Sequence, residues 1–146
     1  MHGVASAPPD ATAFEATLAG LEALAGELQP RHQRLARRAR VIAQSSELRE
    51  RELMKLASWA NALDARLRER GLAPSAAAFA AEASIATFRV ASQRWIEGSA
   101  DDTLFDLIRE GFNDLNRFLQ AAPPRATPQT RRRAVAQRVS SWRLES

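Results

Sequence analysis

The stretch that decides the fold is "ASIATFRVASQRW", residues 83–95. It reads as helix, yet it carries few of the long charged side chains that normally coat one. At about 100° per residue, Glu82, Arg89, Gln93 and Glu97 fall on a narrow polar stripe. Opposite that stripe, Ala77, Ala80, Ser84, Ala91 and Trp95 make a small-residue surface. Phe79, Ala83 and Val90 flank it on one edge, and Ile85, Phe88 and Ile96 on the other. A surface helix needs one apolar stripe, so this helix is expected to be covered from at least two directions.

The same period recurs along the chain. Phe14, Leu18, Leu21, Ala25 and Leu28 share one helical face, predicting a first helix from about Ala11 to Leu28 that ends at Pro30. Leu35, Ala39 and Ile42 define a second helix from Arg31 to about Gln44, with arginines around the rest. Ser46 suits the N-cap of a third helix running to Arg70, where Gly71 fits a left-handed C-cap. Pro74 opens the fourth helix, which reaches Glu97 before Gly98. Ser99 and Asp102 form a capping-box-like start for a fifth helix ending near Gln120, before Pro123 and Pro124. No strand pattern competes.

With 146 residues, the expectation is one all-α domain of five helices over residues 11–120, between a disordered start at 1–10 and a basic, disordered tail at 121–146. In that tail Val135, Val139 and Trp142 recur at helical spacing. The net charge of +4 conceals a pattern: residues 1–30 hold four acids and no Lys or Arg, residues 31–40 hold five arginines and no acid, and residues 121–146 hold six arginines against Glu145.

Several classes of function find no residues to carry them. With no cysteine there is neither a disulfide nor a thiolate zinc site. His2 and His32 lie far apart and neither belongs to a Glu-x-x-His pair; no glycine-rich phosphate loop and no G-x-S-x-G occurs. The chain is therefore expected not to be an enzyme and to need no cofactor or metal. No signal-like or membrane-spanning run is found, so a cytoplasmic protein with no membrane partner is expected.

The fifth helix sharpens the question of what covers the fourth. Leu104, Phe105, Leu107, Ile108, Phe112, Leu115, Phe118 and Leu119 fill a wide apolar arc with Gly111 near its centre. Glycine inside a helix costs roughly 1 kcal/mol against alanine, which close approach of a neighbouring helix would justify. A homodimer packing these two helices against their copies is expected, with Ala80, Ser84, Ala91, Trp95, Ile108, Gly111, Phe112 and Leu115 at the interface. Burial of both helices within one chain is the other arrangement that the periodicity allows.

"RHQRLARRARVIAQSSELRERELMKLASWANALDARLRERG" (31–71), "AAEASIATFRVASQRWIEG" (80–98) and "LFDLIREGFNDLNRFL" (104–119) together resemble the C-terminal regulatory domain of TetR-family transcriptional regulators, particularly the branch typified by the mycofactocin-system regulator. The likeness covers about residues 12–120. It implies an effector-binding and dimerisation domain whose last two long helices build a four-helix dimer interface. About ten residues precede the first helix, so the family's helix-turn-helix has no counterpart in this sequence. DNA contact is expected only through such a missing domain, or weakly through the basic tail. The rival reading is a small helical interaction protein whose tail, with Arg131, Arg132, Arg133, Arg138 and Arg143 beside Trp142, binds nucleic acid or an acidic partner.

For the effector, Trp59, Phe88 and Trp95 are candidate walls of an apolar cavity, with Phe14, Leu18 and Phe79 around it and Leu56 on the buried face of the third helix. Glu52 falls inside that face, beside Leu48, Leu56, Trp59, Leu63 and Leu67. A buried carboxylate is costly without a partner; it either pairs with Arg38 or Arg34 or anchors a ligand. The five arginines of the second helix suit an amphipathic, phosphate-bearing effector of acyl-coenzyme A type.

Overall fold

The computed structural model describes residues 12–99 and 101–121. These residues form helices and turns, with no strand among them: α1 Ala13–Leu28, a 3-10 turn Gln29–Arg31, α2 His32–Ala43, α3 Ser46–Glu69, α4 Pro74–Glu97 and α5 Leu104–Ala121. The sequence 1–10 and the basic stretch with Val135, Val139 and Trp142 lie outside the described residues. So do the tail arginines.

Local chemistry sets the ends. Thr12 caps α1 in a reciprocal capping box: its hydroxyl accepts from Glu15 N, and the Glu15 carboxylate accepts from Thr12 N at 2.8 Å. Hydrogen bonds from the Thr12 side chain and then its backbone hold the Glu15 carboxyl below the usual glutamate range. The N-cap of α3 is Ser45, one residue earlier than the expected Ser46; its hydroxyl accepts from Leu48 N at 3.3 Å. Pro74 occupies the first turn of α4, where its missing N–H costs nothing.

α3 stops as the glycine indicates. Gly71 adopts φ +90°, Leu72 N donates to Leu67 O at 3.1 Å and Gly71 N to Arg68 O at 2.8 Å. These are the two bonds of a Schellman motif, and Leu72 packs against the cluster containing Leu67. A side chain at this φ costs roughly 1–2 kcal/mol. Gly71→Ala is therefore expected to lower the melting temperature by about 4–8 °C per kcal/mol lost, measurable by circular dichroism.

The expected start of the last helix moves. Ser99 and Asp102 do not open α5; Asp102 N donates to Ser99 O at 3.1 Å and Ser99 N to the Asp102 carboxylate at 3.2 Å, forming the turn before it. Gln29 clamps this turn with both ends of its amide. Its Nε2 donates to Asp102 O at 2.8 Å and its Oε1 accepts from Leu104 N at 3.0 Å.

The core lies in two clusters. One joins Leu21 and Ala25 of α1, Phe88, Ala91 and Trp95 of α4, and Leu104 and Ile108 of α5. The other joins Ala16 of α1, Leu63 and Leu67 of α3, and Ala77 and Ala81 of α4. α4 is thus lined by α1, α3 and α5 of its own chain. Of the residues expected at a dimer interface, Ser84, Ala91, Trp95 and Ile108 are buried within the single chain. Ala80, Gly111, Phe112 and Leu115 are half-buried. Gly111 does permit a close approach, but by α4 of the same chain: a Cβ there would stand 2.8 Å from the Thr87 methyl. The Arg94–Glu110 ion pair at 3.0 Å also ties α4 to α5. The chain divides after Leu115; in residues 116–121, Gln120 donates to Asn116 at 3.3 Å, and Phe118 and Leu119 are exposed.

Candidate functional site

A cavity of about 120 Å³ lies where α1, α3 and α4 meet. Thr17, Gly20, Leu21 and Leu24 line it from α1, Trp59 and Leu63 from α3, and Ile85 and Phe88 from α4. Helical spacing explains the membership: steps of three and four residues bring each set onto one face. Gly20 contributes a wall with no side chain. The Thr17 hydroxyl donates to Ala13 O at 2.8 Å, so it can still accept a hydrogen bond, and most of the remaining wall is hydrocarbon and aromatic ring. The rings of Trp59 and Phe88 lie 5.9 Å apart, tilted at 58°.

Such a space takes an apolar group of about benzene size, since a cavity of roughly 150 Å³ lined by apolar side chains binds benzene. It falls short of the roughly 300–1,000 Å³ of drug-sized pockets. The long chain of an acyl-coenzyme A ester therefore does not fit as a whole. That narrows the expected effector to a small apolar molecule or the tip of a larger one.

Of the cavity residues expected from sequence, Trp59 and Phe88 are in place. Leu18 and Leu56 pack against the first core cluster instead. Phe14 is more than half exposed and meets Phe112 edge to face at 5.4 Å. Phe79 is 78 % exposed, on the side of α4 away from Ile85 and Phe88. Trp95 sits in the core, its indole N–H donating to Asp102 O at 3.1 Å.

Glu52 is resolved as an ion pair. Its carboxylate contacts the Arg38 guanidinium and accepts from Lys55 Nζ at 2.8 Å. Burial pushes the Glu52 carboxyl upward, but hydrogen bonds from Arg38 and Lys55, with their charges, outweigh it and leave the group below the usual range. Lys55 in turn stands 5.2 Å from the centre of the Trp59 ring, so Glu52 orders a cation that rests on a cavity wall without touching the cavity. Because the folded-state carboxyl is depressed, its contribution is present above the unfolded pKa and lost as pH falls through the folded one. Glu52→Gln is expected to cost about 1–2 kcal/mol at pH 7. Urea titrations should show that difference shrinking from about pH 5 towards pH 3.

His32 was not legible as a site residue. Its Nε2–H donates to Trp95 O at 2.8 Å, capping the end of α4, and its ring lies edge-on to the Trp95 ring at 4.7 Å. Its Nδ1 is buried without a partner among the described residues. Thr17, Gly20, Leu21, Leu24, Leu63 and Ile85 are cavity walls that the sequence did not single out as such; the signal available was Gly20, a glycine in mid-helix. Among the described residues, no group of three or more His, Asp or Glu is placed to hold a metal ion, and no helix is long and apolar enough to cross a membrane. Compared with known proteins, the chain matches no family model, no curated protein and no solved structure.

Proposed function

We propose that this chain is an effector-sensing, self-associating helical domain, the role its sequence resemblance to TetR-family regulatory domains suggests. The observation that carries the reading is the cavity between α1, α3 and α4, an apolar space walled by two aromatic rings and a glycine among other apolar side chains. Its occupant is a small apolar molecule. Burying about six carbons at roughly 0.8 kcal/mol each gives about 5 kcal/mol, which corresponds to a Kd on the order of 0.1–1 mM. Titration with benzene or toluene, followed by tryptophan fluorescence and amide shifts, should saturate in that range. Gly20→Leu fills the space and should weaken binding at least ten-fold while leaving the helical content unchanged. Equal binding by the two proteins would remove the cavity as the site.

Self-association is assigned to the outer side of α4, since the inner side is consumed by the core. Phe79 and Val90 are exposed there, with Ala83 and Ala86 on the same face between them. Two apolar side chains in water on one helix favour a second copy. Sedimentation at micromolar concentration should give a dimer, and Phe79→Asp a monomer with unchanged helicity. A wild-type monomer at all concentrations would remove this part of the reading and leave the cavity part standing.

A further inference from the structure

We infer that the arginine row running from the 3-10 turn through α2 is a surface for the phosphate backbone of nucleic acid, independent of the cavity and of the basic tail. Arg31, Arg34, Arg37 and Arg40 recur at every third residue, all exposed. None makes an ion pair among the described residues. By contrast, Arg38 of the same helix pairs with Glu52, and on α3 Arg51 pairs with Glu47, Arg66 with Glu69 and Arg68 with Asp64. Only Arg37 uses a side-chain N–H inside the row, its Nε donating to Gln33 O at 3.4 Å. The guanidinium forks are otherwise open.

The helix itself is arranged against its own electrostatics. α2 has no acidic residue in its first turn, no side-chain cap at its N-terminus and no buried residue. Arginines at its start oppose the positive end of the helix dipole, and like charges three and four residues apart repel one another. A dense anion reverses every one of these unfavourable terms. Arg40, in the last turn, suits the helix dipole, but the arginines at the start have no such compensation, as is expected where a surface serves a partner.

The chemistry favours nucleic acid over a membrane. The row spans ten residues, nine steps or about 13.5 Å at helical rise, and crosses the exposed half of the helix obliquely. One strand of duplex DNA places a phosphate about every 3.4 Å of axis, so four guanidinium groups can meet about four phosphates, each through paired N–H donors. Membrane-surface helices carry large apolar side chains opposite the charge for insertion. In α2 the exposed large apolar residue is Val41 alone; Leu35 packs against the core and Ile42 is half-buried. Such binding would be blind to sequence, because phosphate contacts carry no base information.

The test uses the full chain and a mixed-sequence 20-base-pair duplex, followed by fluorescence anisotropy between 50 and 200 mM salt. Four phosphate contacts predict that log K falls with log salt with a slope of about −3.6 from this surface, roughly a hundred-fold loss over that range. Arg31→Gln, Arg34→Gln, Arg37→Gln and Arg40→Gln together should flatten the slope by about that amount and weaken binding at 50 mM at least ten-fold. Relief of self-repulsion should leave the variant melting at or above the wild-type temperature, which separates lost contacts from lost folding. A companion protein with Arg131, Arg132, Arg133 and Arg138 changed to Gln should keep the α2-dependent slope. The inference is overturned if only the tail variant loses binding, or if the wild type binds vesicles containing phosphatidylserine and not the duplex.

Discussion

Replacing Trp95 by alanine is expected to remove about 3–5 kcal/mol of stability, a large part of the 5–15 kcal/mol that a domain of this size commands. Trp95 is the largest fully buried side chain among the described residues, 1 % exposed. It joins α1, α4 and α5 in one cluster, so its loss leaves a hole bordered by three helices that cannot all collapse inward. Two polar links go with it. The indole N–H leaves Asp102 O to Gln29 alone, and the His32 ring loses the aromatic edge against which it is held. Trp95→Phe keeps most of the bulk and gives up the N–H, and should cost about 1–2 kcal/mol. With m near 1–3 kcal/mol/M in urea, the alanine variant should unfold roughly 2 M earlier than wild type. A shift well under 0.5 M would mean that the cluster around Trp95 does not hold these helices together.

The same residue shows where reading the sequence succeeds and where it stops. Spacing of Leu, Ala and aromatic residues placed each helix within a few residues, because burial of one face imposes the period directly. Gly71 and Pro74 marked α3 and α4 at the right places, since φ > 0 and a missing N–H are properties of the residue itself. Capping was less secure: Ser45 and Ser46 are chemically equivalent, and the Ser99–Asp102 pair closes a turn with the same bonds that would start a helix. The larger limit is that periodicity names a face and never its neighbour. Ser84, Ala91, Trp95 and Ile108 were readable as dry positions, and all four are buried within the single chain. The true outer stripe runs through Phe79 and Val90. The cavity was legible only through Trp59 and Phe88, because a void is set by side chains that are absent, and Gly20 leaves one inside an ordinary-looking helix. Glu52 was the clearest case, since a carboxylate in an apolar stripe demands a cation and Arg38 lies within reach across α2 and α3.

Phe88→Ala tests the cavity and the core at one position. Phe88 is 6 % exposed and belongs both to the first core cluster and to the cavity wall. Its truncation should cost about 3–5 kcal/mol and merge the space left by the ring with the 120 Å³ already present. The enlarged hollow remains lined by Leu21, Leu24, Leu63, Ile85 and the Trp59 ring, and a space of that character stays dry and accepts aromatic guests. Benzene or indole at a hundred times its Kd should restore about 2.7 kcal/mol, seen as a rise in melting temperature that depends on ligand concentration. Phe112→Ala serves as the comparison: Phe112 is half-buried against Phe14, away from the cavity lining, so its loss should cost less and gain nothing from the guest. Rescue confined to Phe88→Ala ties the ligand to the meeting point of α1, α3 and α4. Equal rescue of both variants would instead show that the guest merely partitions into loosened protein, and the sensing role would then have no site.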